Sequence, residues 1–125
     1  MTDRDEAAVG AAVDREATLR GWKIERYEQR RRTQITEGLP DRRYVGPNGW
    51  RVWVELKKPG GKLTEAQHKW LKAELDAGAL ALPVDDEAVI VALHARWKKL
   101  YGQADALQYC RDVLALTAKR GYRAA

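Results

Sequence analysis

The chain has no phenylalanine, a single cysteine, a single methionine and only two histidines among its 125 residues. One thiol, Cys110, cannot close an internal disulfide, and so few thiol and imidazole ligands argue against a structural zinc centre. No apolar run approaches the ~20 residues that span a bilayer. The opening "MTDRDEAAVG" lacks the charge-then-apolar layout of a secretory signal, so a cytoplasmic protein is expected. With no internal repeat, low-complexity tract or Ser/Pro-rich linker, one domain is expected over residues 1–125. Its core would span about 3–98, with a helical extension over about 99–125.

Basic residues, by contrast, are plentiful and unevenly placed. The net charge is +5, yet Arg20 to Lys62 holds twelve Lys and Arg against five Asp and Glu. A segment of that kind suits a polyanionic partner, although a solvated surface gives the same composition. An Ala-rich stretch from Asp3 to Arg20 reads as a helix with Val9, Ala12, Val13 and Ala17 on its apolar face, stopped by Gly21. "WKIERYEQR" alternates like a strand, and "RRRTQITEGLP" reads as a basic loop. "DRRYV" and "WRVWVELK" flank "GPNG", which predicts an antiparallel hairpin. A helix over about 65–77 follows, opened by Thr64 and closed by Gly78; then come a doubly buried strand in "ALALPV" and two further helices. The order α-β-β-β-α-β-α-α predicts an α/β fold with a mixed sheet flanked by helices.

Within "WRVWVELK", alternation sends Val52, Val54 and Leu56 to one face and Trp53, Glu55 and Lys57 to the other. A short turn pairs the start of one hairpin strand with the end of the next, so Asp41 should lie near Glu55. Two carboxylates and an ammonium there read either as a partly exposed ion pair, worth ~0–1 kcal/mol, or as a metal site with a catalytic lysine. The Glu-Leu-Lys triplet alone favours the ion pair. The whole pattern shifts the balance: Pro40-Asp41, then Glu55 fourteen positions later, then Lys57 on an apolar strand.

Taken together, "GLPD…VWVELKKPGGKLTEAQHKWLKAELDAGA" resembles the VRR-NUC branch of the PD-(D/E)xK nucleases. The likeness runs from about Glu6 to Ala92 and leaves out the last thirty or so residues. It rests on Gly38 before Pro40-Asp41, Glu55-Leu56-Lys57, Gly60 or Gly61 before Leu63, Gln67, and Gly78. The resemblance implies a restriction-endonuclease-like core and Mg²⁺- or Mn²⁺-dependent cleavage of DNA. Asp41 and Glu55 would be metal-binding acids, Leu56 would lend its carbonyl, and Lys57 would be the catalytic lysine. A helix-1 glutamate joins the metal in this family. Glu6, on a face with Val9, Gly10 and Val13, is expected to point inward and fill that role, with Glu16 as competitor and a first-turn helix acid as the plain alternative.

Gln67 completes a T-x-x-Q capping box with Thr64, whereas the resemblance implies a place at the active-site edge; both roles are compatible. Arg30, Arg31, Arg32, Arg42, Arg43, Lys58 and Lys62 are the expected nucleic-acid contacts. "PGGK" lacks the phosphate-loop pattern, and His68 and His94 lack metal-ligand spacing. The tryptophans read mainly as core, with Trp53 on the face of Glu55 and Lys57. Short standalone members of the family resemble nucleases selective for branched DNA such as Holliday junctions or flaps. A homodimer through the Leu107-Cys110-Leu114 stripe would suit paired cuts, although that stripe can equally pack on its own domain. The competing reading is a nucleic-acid-binding protein that keeps the fold without cleavage; RNA is a further candidate substrate.

Overall fold

The structure, a computed structural model, describes residues 4–27, 38–99 and 102–124. Its elements are α1 (Glu6–Leu19), β1 (Lys23–Arg26), β2 (Arg42–Val45), β3 (Arg51–Leu56), α2 (Glu65–Asp76), β4 (Leu80–Val84), α3 (Glu87–Trp97) and α4 (Gly102–Ala118). The sheet has four strands in the order β1-β2-β3-β4, antiparallel except for the β3–β4 pair. The expected α/β architecture and element order are therefore present. The Arg30-Arg31-Arg32 run lies outside the described residues.

Local chemistry accounts for the element ends. Asp5 caps α1 by accepting from the Ala8 N–H, and Asp86 does the same for α3 through Ala88. Thus α1 starts at Glu6, three residues later than the charge pattern suggests. The β2–β3 turn is one 3₁₀ turn over Pro47–Gly49, with Pro at its start where the missing N–H costs nothing. In β4, Pro83 is tolerated because β4 is an edge strand of the sheet.

Both sheet faces are covered. The α1 helix lies on the Val52-Val54-Leu56 face, where Val9, Val13 and Ala17 are fully buried, and α3 packs beside it with His94 against Trp22. The opposite face carries Trp53, Glu55 and Lys57. It is roofed by α2, whose Trp70 meets Trp53 edge-on at 5.0 Å, and by α4, which lies along β4. In α4, Ala106, Cys110 and Leu114 are buried in this core and Leu107 packs against it. The stripe considered for dimerisation is thus used within the domain. Burial also pushes the Cys110 thiol up to about 12, leaving it an inert core residue.

Candidate active site at the end of strand β3

The hairpin register pairs Arg42 with Val54, so the next position along each strand brings Asp41 opposite Glu55. Two backbone contacts fix Asp41: its carbonyl accepts from Tyr27 N–H at 2.9 Å, and its Oδ2 accepts from Leu56 N–H at 3.1 Å. Pro40 before it is fully buried. Gly38 adopts φ +86, and a Cβ there would come within 2.5 Å of the Ala66 carbonyl oxygen. Only glycine lets the chain rest on the first turn of α2 at this point. The glycine therefore sets how closely the Asp41 segment approaches Gln67.

Glu55 and Lys57 are buried, at 2% and 4% exposure, because α2 and α4 roof their side of the sheet. The partly exposed ion pair considered from the sequence does not form; the pair is an interior one, with Lys57 Nζ 3.8 Å from Glu55 Oε2. Gln67 closes the expected capping box and also reaches Glu55. Its Oε1 accepts from the Thr64 N–H at 2.9 Å and its backbone N–H donates to Thr64 Oγ1 at 3.1 Å, closing the capping box. Its Nε2 donates to Glu55 Oε2 at 3.2 Å.

The other oxygen, Glu55 Oε1, is buried and meets no hydrogen-bond donor among the described residues. Burial, then the charge of Asp41 and a side-chain hydrogen bond with it, push the Glu55 carboxyl up to about 9; the Lys57 charge only partly opposes this. Burial also makes the Lys57 ammonium easier to deprotonate. Glu55 opposes that shift and the Arg123 charge adds to it. Two carboxyl groups crowded together, with no donor from another residue reaching Glu55 Oε1, form a site poised to exchange a proton for a cation. A cation bound at the pair would relieve the repulsion and give that oxygen a partner.

Hard oxygen donors suit Mg²⁺ or Mn²⁺. Among the described residues no three His, Cys, Asp and Glu side chains form a ready ligand group. Mg²⁺ ordinarily takes one or two carboxylates and fills its remaining positions with water and substrate phosphate, so the Asp41–Glu55 pair suits it by donor type. Glu6 lines a cavity of about 370 Å³ together with Asp41, Arg42 and Leu56. It is exposed there rather than pointing inward, because it lies in the first turn of α1 at the cavity rim. Its charge still reaches Glu55. Glu16, further along α1, is paired with Arg20.

Comparison with family models, curated proteins and solved structures returns no match for this chain.

The sequence reading missed Asp14. It lies one and two turns beyond Gly10 and Glu6 on the cavity-lining stripe of α1, and it is buried. Arg26 Nη2 donates to it at 2.9 Å, Arg42 Nε at 3.2 Å and the Tyr44 hydroxyl at 2.6 Å. An acid interrupting an apolar helix stripe, with an arginine at an inward strand position, was the available signal. Arg42 is therefore held in an ion pair, and Arg43 pairs with Glu25 while lying over the Trp53 ring. Lys58 and Lys62 are exposed in the loop after β3, with no ion pair among the described residues.

Proposed function

We propose that the chain is a Mg²⁺- or Mn²⁺-dependent endodeoxyribonuclease with a restriction-endonuclease-like core of the VRR-NUC kind. The observation that carries this reading is Glu55. It is a buried carboxyl against Asp41 with one oxygen that no donor from another residue reaches, flanked by Lys57 and Gln67. Mere nucleic-acid binding has no use for that arrangement, since unneutralised acids repel phosphate.

In this reading Asp41, Glu55 and the Leu56 carbonyl hold the metal, with Glu6 at the cavity rim as a further oxygen donor. The bound metal supplies Lewis acidity at the phosphate and lowers the pKa of a water. Gln67 fixes the Glu55 carboxylate in place. Lys57, easily deprotonated for a lysine, orients or deprotonates the attacking water, or neutralises charge as it grows on the phosphate. Lys58 and Lys62 contact the DNA backbone. In this reading the substrate is branched DNA, such as four-way junctions or flaps, selected by its shape. Pairing of two sites in a homodimer would need a surface other than the buried α4 stripe.

The test is cleavage of labelled duplex, single-stranded, forked and four-way DNA, and of RNA, with and without Mg²⁺ or Mn²⁺. Metal-dependent cuts lost by ~10²-fold or more in Asp41→Ala and Lys57→Ala are expected. Undiminished cleavage in both variants would refute the assignment. Tight, salt-sensitive binding without cuts would replace it with a non-catalytic binding protein.

A further inference from the structure

The last residues of the chain return to the site. After α4, Tyr122 forms a parallel bridge with Leu63, and the Arg123 N–H donates to the Leu63 carbonyl at 2.9 Å. The Tyr122 hydroxyl lies 3.2 Å from His68 Nδ1 on α2. Arg120 fastens the approach: its Nη1 donates to the Gly61 carbonyl at 3.0 Å and pairs with Asp85 at 3.1 Å, and Asp85 in turn accepts from the Gly60 N–H. Gly61 is the residue that packs on Lys57, since a Cβ there would lie 3.2 Å from the Lys57 Cβ. Arg120–Arg123 therefore runs as a strap along the loop that leaves β3, and both Lys57 and Arg120 line one cavity of about 250 Å³.

The two strap arginines are used differently. Arg120 is committed to Asp85 and Gly61, whereas the Arg123 guanidinium is exposed and has no carboxylate partner among the described residues. Lys58 and Lys62 add two exposed ammonium groups on the same loop. Three exposed cationic residues on the strap and the loop it follows, none in an ion pair among the described residues, form a patch that attracts an anion.

We propose that the strap is part of the site and that Arg123 contacts a phosphate of the nucleic-acid backbone beside the loop that leaves β3. The inference rests on the nuclease reading for its choice of anion. It gives the C-terminal extension, which lies outside the family likeness, a direct place on the substrate.

The experiment is fluorescence anisotropy of a labelled four-way junction and a labelled duplex, with Ca²⁺ replacing Mg²⁺, across a salt series. The variants are Arg123→Ala and Arg123→Lys, with Asp41→Ala as a control that leaves Arg123 in place. Arg123→Ala should weaken binding several-fold and flatten the plot of log affinity against log salt by about one phosphate contact. Arg123→Lys should keep the slope. Urea unfolding should leave Arg123→Ala close to the wild type. An unchanged slope in Arg123→Ala, or weaker binding accompanied by lower stability alone, would overturn the proposal. If that slope is unchanged while Asp41→Ala abolishes cleavage, this inference fails and the nuclease reading stands. If the wild type binds no DNA, both fail.

Discussion

Replacing Glu55 by glutamine keeps the side chain's shape and removes its titration, so it isolates the electrostatic cost of the site. In the folded chain this carboxyl is pushed up to about 9, against a reference of 4.5. Between about pH 6 and pH 8 the unfolded chain therefore carries an ionised Glu55 while the folded chain holds a proton on it. Fewer protons are bound when unfolded, so stability falls as pH rises, by ~1.4 kcal/mol per pH unit. Over those two units the wild type should lose about 3 kcal/mol relative to Glu55→Gln. The lowered Lys57 ammonium acts in the opposite sense, and removing the Glu55 charge lowers it further in the variant, which widens the difference. Urea unfolding in EDTA, followed by tryptophan fluorescence at pH 6, 7 and 8, measures the gap. A wild type and variant whose stabilities stay parallel across that range would refute the argument that Glu55 is a buried carboxyl crowded by Asp41. Mn²⁺ added at the upper pH should stabilise the wild type and not the variant, which tests the metal assignment separately.

Other substitutions separate roles that share a residue. Gln67→Ala should cost ~1 kcal/mol, as the Thr64 N–H and Glu55 Oε2 both lose their partner. Gln67→Glu keeps an acceptor for Thr64 but sets a third acid beside Glu55; its stability should fall further with rising pH, and the cleavage assay should show weaker activity. Asp14→Ala leaves Arg26, Arg42 and Tyr44 without their shared acceptor and should cost ~2 kcal/mol or more in urea unfolding. Gly38→Ala forces a left-handed side-chain-bearing residue into the Ala66 carbonyl and should cost at least ~2 kcal/mol by thermal or urea melts. Apparent metal affinity, read by calorimetry, should strengthen from pH 6 towards pH 9, with proton release, as the Glu55 proton is displaced.

Much of this site is written in short-range pattern. Alternation in "WRVWVELK", the Pro-Asn-Gly turn and Pro-Gly-Gly break place Asp41 opposite Glu55 because strand period and turn length leave little choice of register. Thr64 and Gln67 announce the helix cap in the same way. What could not be read locally is whatever depends on another element arriving. The Glu55–Lys57 face looked half-exposed because nothing in β3 says that α2 and α4 will cover it. Arg42 and Arg43 looked free for phosphates because their acceptors, Asp14 and Glu25, lie on α1 and β1. The return of Arg120–Arg123 to Leu63 is a pairing across most of the length of α2–α4 and has no local signature. Glu6 was expected inward from its helical face, yet the first turn projects past the sheet to the rim of the cavity.

That division has a consequence for how the site assembles in time. Asp41, Glu55, Lys57 and Gln67 sit on one hairpin, one loop and the first turn of one helix, joined by contacts short in sequence and therefore quick to form. Glu6 reaches the Asp41 cavity only after α1 has docked, and Arg123 reaches Leu63 only after β4, α3 and α4 have been laid down. The carboxyl pair, the lysine and Gln67 are thus a local block, and α1 and the Arg120–Arg123 strap close around it. Opening of the strap would loosen Arg123 while leaving the hairpin folded. Hydrogen exchange should show the Leu63–Arg123 bridge opening more readily than the β2–β3 ladder.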